Sequence, residues 1–188
     1  MVSTSSPVTE QVTMASRYLT ETRDALIDSA SGLSPSQWDF KPAPDRWSIA
    51  EIIEHVVLIE NRVHAIVGKM DEAPICDPDS DLARIDDFIV NEVPKRSTKV
   101  QAPAQVSPTH RWIGPEVLEH FVESRDKTTQ LLATSLLRGH VVAHPVFGPW
   151  DGYQWLLAAA AHSARHTEQI QEVKADSKFP RTSLGTSD

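Results

Sequence analysis

The stretch from Trp155 to Val173 constrains this chain more than any other. Trp155, Ala159, His162, His166, Gln169 and Val173 follow one another at steps of three or four, the spacing that keeps residues on one face of a helix. The two histidines therefore share the face that the apolar residues mark as buried. At an i, i+4 spacing both imidazoles can reach one point in space, which is what a metal ion needs from a helix. A third nitrogen must come from elsewhere, and His55, inside another long apolar-periodic segment, is the best-placed candidate. A long helix with one apolar face must bury that face against other elements, so the rest of the chain is read for its partners.

Four such helices can be read. The first takes Ser6 as N-cap and Pro7 as its first residue, and runs to about Ala30 with Val8, Val12, Ala15, Leu19, Leu26 and Ala30 as its stripe; Gly32 ends it. Ser34, Pro35 and Gln37 form a capped single turn. The second helix has a sharply written start: Ser48 and Glu51 make a capping box, and Trp47 before the cap can staple onto Ile52. Its apolar face is Ile49, Ile52, Ile53, Val56, Ile59, Val63 and Ile66, with His55 at the border, and it frays near Gly68 to Met70. The third follows Gly114 and Pro115 to Arg138, using Val117, Leu118, Phe121, Val122, Leu131, Leu132 and Leu136, with Gly139 as terminator. The segment from His140 to Pro149 reads as turns. The fourth helix repeats the start of the second, with Trp150 as staple, Asp151 as N-cap and Gln154 at the third position.

Between the second and third helices lie about forty residues, 71–111, of different character. A short helix is expected from Leu82 to Asn91. After Pro94, with Lys95, Arg96, Lys99 and further prolines, an extended loop is expected. A compact domain carries so long a connection when the chain must cross from one end to the other. Asp77, Asp79 and Asp81 resemble the opening of a calcium loop, but Leu82 stands where the glycine is required and Phe88 where the bidentate glutamate is, which excludes calcium there.

The expected fold is all-α, a four-helix bundle in one domain over residues 1–174, with 175–188 a disordered C-terminal tail. A chain of 188 residues with 40% hydrophobic content can support one core of that size. The net charge of −8, from 26 acidic and 18 basic residues, gives no footprint for a phosphate backbone, so nucleic acid is not an expected partner. No segment approaches ~20 uninterrupted apolar residues and the first eight carry no secretory signal, so a cytoplasmic protein with no membrane partner is expected. The single cysteine, Cys76, excludes an internal disulfide framework and fits a reducing compartment.

At ~1.5 Å per residue His55 lies roughly 10 Å from the start of the second helix, and His162 and His166 roughly 12–18 Å from the end of the fourth. Helices 2 and 4 running antiparallel bring those heights together. Three neutral imidazoles meeting in the interior leave a divalent ion one open position, the arrangement of a catalytic site. His64, His110, His120, His140 and His144, taken singly, read as ordinary hydrogen-bonded residues. Glu51, Arg165 and Gln169 are candidate neighbours of the site, though the capping box already explains Glu51. No Ser–His–Asp order and no Gly-rich phosphate loop can be read.

The run Trp47-Ser48-Ile49-Ala50-Glu51-Ile52-Ile53-Glu54-His55, the Pro-bounded basic crossover from Pro94 to Pro108, and above all His162-Ser163-Ala164-Arg165-His166-Thr167-Glu168-Gln169-Ile170 resemble the DinB-like superfamily, also called DinB/YfiT-like, over residues 8–174. The resemblance implies a bundle of up-down-down-up order and a metal triad of His55, His162 and His166 with nickel or zinc as the usual ion. It also implies metal-dependent chemistry on a small molecule: characterised relatives include thiol-dependent S-transferases and a mycothiol-dependent maleylpyruvate isomerase. A thiol-dependent transferase or a metal-dependent hydrolase is therefore the leading expectation, with a low-molecular-weight thiol as candidate cosubstrate. A non-catalytic metal-binding or protein-interaction bundle is the competing one, and association into a homodimer is left open.

Overall fold

The computed structural model of the protein describes residues 7–97, 101–133 and 137–181. It is mostly helical. Four long helices, α1 (Pro7–Ala30), α3 (Ile49–Val67), α5 (Gly114–Leu131) and α6 (Gly152–Lys174), are joined by two short ones, α2 (Pro35–Trp38) and α4 (Leu82–Asn91), and by a two-stranded hairpin, β1 (Val141–His144) and β2 (Gly148–Asp151). Helix α1 packs on α6 and α5, and α3 packs on both α5 and α6. The four expected long helices are thus present and mutually packed. Ser6, Lys99 and Leu136 and the side chain of Val8 lie outside the described residues, so their expected roles stay open.

Two helix starts follow directly from local chemistry. The Glu51 N–H donates to Ser48 Oγ at 3.3 Å while the Ser48 N–H donates to Glu51 Oε2 at 2.8 Å, and the same reciprocal pair joins Gln154 and Asp151 at 2.9 and 3.0 Å. Each box satisfies two of the amide donors that a helix start leaves without intrahelical partners. The expected staples differ. Trp150 packs edge-on against Trp155 at 5.4 Å between ring centroids. Trp47 shares an apolar cluster with Ile52, but its nearest ring neighbour is His55, at 4.9 Å.

Three expectations are corrected. The third long helix, α5, ends at Leu131 rather than Arg138: Leu132 and Ala133 donate to carbonyls only three residues back, which tightens and stops the last turn. Leaving the helix lets Leu137 accept the Tyr153 N–H at 2.9 Å, and lets Arg138 reach Asp86 and Asp151 at 2.5 and 2.8 Å. The segment 140–149, read as turns, belongs largely to an antiparallel hairpin that pairs Val141 with Asp151 and His144 with Gly148, so the fold is not purely helical. Four-residue strands are too short to show alternation. Residues 175–181, placed by the sequence in a disordered tail, fold back: the Phe179 ring meets Phe40 edge-on at 5.5 Å, and Gln37 Nε2 donates to the Pro180 carbonyl at 2.8 Å. Residues 182–188 lie outside the described ones.

The crossover returns along α6. Helix α4 sits against the start of α6, where Gln154 Nε2 donates to Asp86 Oδ1 at 3.0 Å and Ile89 is buried. Further on, Arg96 clasps Glu172 through two bonds of 2.7 and 2.9 Å. Asp81, the last of the three aspartates set aside as calcium ligands, is the N-cap of α4. The route then passes α3: Glu54, 2% exposed, accepts the Thr109 and Arg111 amides at 2.9 and 3.2 Å. That contact sets the height of the loop just before α5.

Candidate metal centre

The structure brings His55 of α3 together with His162 and His166 of α6. The ring centroids are 5.0 Å apart for His55 and His162, 4.9 Å for His55 and His166, and 4.3 Å for His162 and His166. One nitrogen from each lies within 4.8 Å of the others, and among the described residues no fourth histidine, cysteine or carboxylate joins the group. His55 and His166 are buried, while His162 keeps partial exposure.

Neighbouring groups decide which nitrogens point inward. His55 Nδ1 lies 2.6 Å from the Val106 carbonyl, which can only accept, so Nδ1 carries the proton and Nε2 keeps its lone pair. His166 Nδ1 lies 2.8 Å from Gln169 Oε1. Arg96 Nη1 donates to the same atom at 3.2 Å, which identifies it as the amide oxygen and makes His166 a second Nδ1–H tautomer. His166 Nε2 then stands 3.1 Å from His162 Nε2. Two lone pairs at that distance repel unless a proton or a cation lies between them, and a cation can serve all three rings. Among the described residues His162 Nδ1 is buried with no hydrogen-bond partner, so none of them fixes that ring's tautomer.

Protonation is disfavoured throughout. Burial lowers His55, with the Val106 bond partly opposing it, and burial followed by the neighbouring charges lowers His162 and His166 well below the ordinary imidazole value. Neutral imidazoles with inward lone pairs are the form that ligates a metal, and three of them suit zinc or nickel better than a hard oxygen-seeking ion. The residues present therefore fit a divalent cation, with a coordination position left over.

Of the expected neighbours, Gln169 touches the site through His166. Glu51 does not; it is held by its capping box, by Lys41 at 2.7 Å and by His110 Nε2 at 2.8 Å. His110 adopts φ 57°, a left-handed conformation costing a non-glycine residue roughly 1–2 kcal/mol, and the Glu51 pair and the Glu54 bonds on either side hold it there. Arg165 donates to the Lys95 carbonyl and so ties the crossover to the histidine helix. Trp155, on the same helical stripe as the two histidines, packs with Trp150 and His144 at the hairpin. The sequence reading missed Val106, whose contribution is a main-chain carbonyl with no side-chain signature. It also missed Trp47 as a wall against His55, although its position eight residues before His55 could have suggested it.

A sequence model of the DinB superfamily matches residues 18–170, a span that contains all three histidines and their partners Val106 and Gln169. The chain belongs to the DinB superfamily. Among curated proteins it is similar to the uncharacterized protein YuaE of Bacillus subtilis (strain 168), 26% identical over 158 residues that cover 82% of this chain and 93% of that protein. As a DinB superfamily member the chain has a histidine cluster that could hold a metal ion. No helix among the described residues is long and apolar enough to cross a membrane.

Proposed function

We propose that this protein is a metal-dependent enzyme in which His55, His162 and His166 hold one divalent ion, nickel or zinc, and that it acts on a small molecule with a low-molecular-weight thiol as cosubstrate. The observation that carries the reading is the convergence of three imidazole nitrogens, two of them in tautomers fixed by Val106 and Gln169, with no fourth protein ligand among the described residues. Bound there, a divalent ion supplies a positive charge that lowers the pKa of a ligated thiol or water toward neutrality. The protein's own part is orientation. Val106 and Gln169 hold two rings with their lone pairs inward, burial keeps all three neutral, and Trp47 covers His55 from one side. The thiol preference comes from the family resemblance. It is supported by the absence, among the described residues, of a carboxylate within the cluster that could serve a hydrolytic water as general base.

The up-down-down-up order belongs to the same proposal, together with a single domain. Its support is the pattern of cross-helix bonds. Gln11 meets Tyr153 and Ser29 meets Lys174, so α1 and α6 run the same way. Glu60 meets Arg125 and His64 meets Thr128, so α3 and α5 do too. Arg46 near Glu172 and His55 near His162 set α3 against α6.

Elemental analysis of protein purified without a metal-affinity tag should find about one nickel or zinc per chain, the stoichiometry of a three-ligand site. His162→Ala should lose the metal and keep its helical circular dichroism, because the core does not depend on the ion. Metal-free protein, or a variant that keeps its ion, would sink the assignment; global unfolding of the variant would point to a structural site. A cobalt-substituted sample should develop a thiolate charge-transfer band with bacillithiol, mycothiol or glutathione analogues. If none of them gives a band while esters or amides are cleaved only by loaded protein, the hydrolase reading replaces the thiol one.

A further inference from the structure

The loop that enters α5 is held against α3 at three points. Glu51 meets the His110 side chain at 2.8 Å, Glu54 accepts the Thr109 and Arg111 amides at 2.9 and 3.2 Å, and His55 Nδ1 meets the Val106 carbonyl at 2.6 Å. Among the described residues the other partners of the buried Glu54 carboxylate are the Thr109 hydroxyl and the Arg111 guanidinium, at 3.3 and 3.4 Å. All its bonds therefore go to Thr109 and Arg111. The backbone between them explains the grip. His110 has φ 57°, and a left-handed residue turns the N–H groups around it toward one concave side, the main-chain arrangement that receives an anion. Glu54 fills that concavity.

The chain just before this grip is stiff. Only Ser107 and Pro108 separate Thr109 from Val106, and the proline ring fixes one backbone angle of the two residues. Val106 ends a single helical turn, Ala104–Val106, in which its N–H and the Ser107 hydroxyl both donate to the Pro103 carbonyl at 3.1 Å. The Val106 side chain is buried as well. A shift of Thr109 is therefore passed on to the Val106 carbonyl rather than absorbed between them.

We infer that Glu54 is a positioning residue for the candidate metal centre: its grip on the backbone around His110 places the Val106 carbonyl on His55 Nδ1 and so presents the His55 Nε2 lone pair. For its consequence the inference rests on the metal-site reading above; for its cause it rests on hydrogen-bond geometry alone. A neutral imidazole carries its proton on either nitrogen. Without the carbonyl, His55 is free to turn an N–H toward the cluster, and a protonated nitrogen cannot ligate. Glu54 precedes His55 in the chain, so one turn of α3 carries both a nitrogen of the cluster and the group that orients it.

The test reads the proton directly. Long-range proton–nitrogen correlation spectra of the metal-free, full-length protein distinguish the Nδ1–H from the Nε2–H form of each ring, and the wild type should show His55 as Nδ1–H. Glu54→Gln keeps the side chain's shape but turns an amide N–H toward one of the two backbone donors. It should bring in the Nε2–H form, and zinc affinity from chelator competition should fall about tenfold or more, the usual loss when the partner behind a ligand goes. Because a buried variant can fail to fold, His110, its side chain 60% exposed, supplies a second pair. His110→Val opposes the left-handed conformation and should repeat the Glu54→Gln changes, whereas His110→Gly accepts it and should lose far less. A wild-type ring in the Nε2–H form, an Nδ1–H form that survives both Glu54→Gln and His110→Val, or a zinc affinity that does not follow the tautomer overturns the inference. Wild-type protein that binds no zinc defeats the metal-site reading instead, and the metal-free spectra still decide whether Glu54 sets the ring.

Discussion

A side-chain amide three residues after a histidine can do what a sequence rarely advertises, which is to choose the proton position on an imidazole. Gln169 does this for His166, and its own orientation is fixed in turn by Arg96. Gln169→Ala removes the acceptor and frees the ring, so metal affinity should fall about 10–100-fold with helicity unchanged, as loss of a partner behind a ligand typically does. Chelator competition followed by elemental analysis measures it; an unaltered affinity would show that the amide is only packed there. The same residues set the pH range. Because the folded histidines titrate below the ordinary value of about 6.5, their lone pairs stay available there, so metal affinity should be full above that pH and lost only as it falls further, through the lowered values. Equilibrium dialysis between pH 8 and pH 4 tests this: release complete by pH 6.5 would mean that the rings are solvated and ordinary. The three clustered histidines and Gln169 were legible because all lie on helical stripes. The Val106 carbonyl was not, since its role follows from where the crossover is pinned by Glu54.

At the scale of elements, what was legible is what local chemistry determines. The starts of α3 and α6 are written in Ser48 with Glu51 and in Asp151 with Gln154, and both boxes form. The end of α5 was not legible, because it is set by distant partners: Arg138 is drawn to Asp86, 52 residues away, and to Asp151. The start of α5 is fixed by packing of a similar kind. Gly114 sits directly on the Trp38 side chain, and a Cβ there would overlap the indole at Cγ and Cδ2. Trp38 is 4% exposed and cannot move into solvent without opening the cluster that holds Ile49, Ile53 and Phe121. Gly114→Ala, harmless by helix propensity, should therefore destabilise the protein by about 1–3 kcal/mol, the usual cost of overpacking a filled interior. Urea unfolding followed by circular dichroism reads it. A midpoint equal to or above that of the wild type would mean that Trp38 gives way freely.

The molecule as a whole is two apolar clusters separated by a polar layer. One contains Leu19, Val63 and Leu156, the other Leu26, Ile53 and Phe121. Between them Arg125 and Glu60, each 1% exposed in its side chain, pair at 2.5 Å, and Arg125 also donates to the Leu19 carbonyl, Thr22 and Ser163 while Thr128 donates to Glu60. The periodicity carried a hint of this, since Phe121, Arg125, Thr128 and Leu132 follow one another on one stripe. Two polar residues inside a buried stripe need partners from other helices, which spacing cannot supply. All four long helices meet at this layer, so it fixes their relative heights, and Ser163 lies next to His162 in the chain. Because desolvation of both charges offsets most of their attraction, the pair's worth to stability is small, whereas loss of one partner strands the other. Glu60→Leu and Arg125→Met should each cost about 3–5 kcal/mol in urea unfolding, and the double variant much less than their sum. Additive single effects would contradict a coupled pair. If the layer also aligns α6 with α3, the double variant should keep its stability and lose metal affinity, since apolar side chains fill the space without specifying the height at which His162 and His166 meet His55.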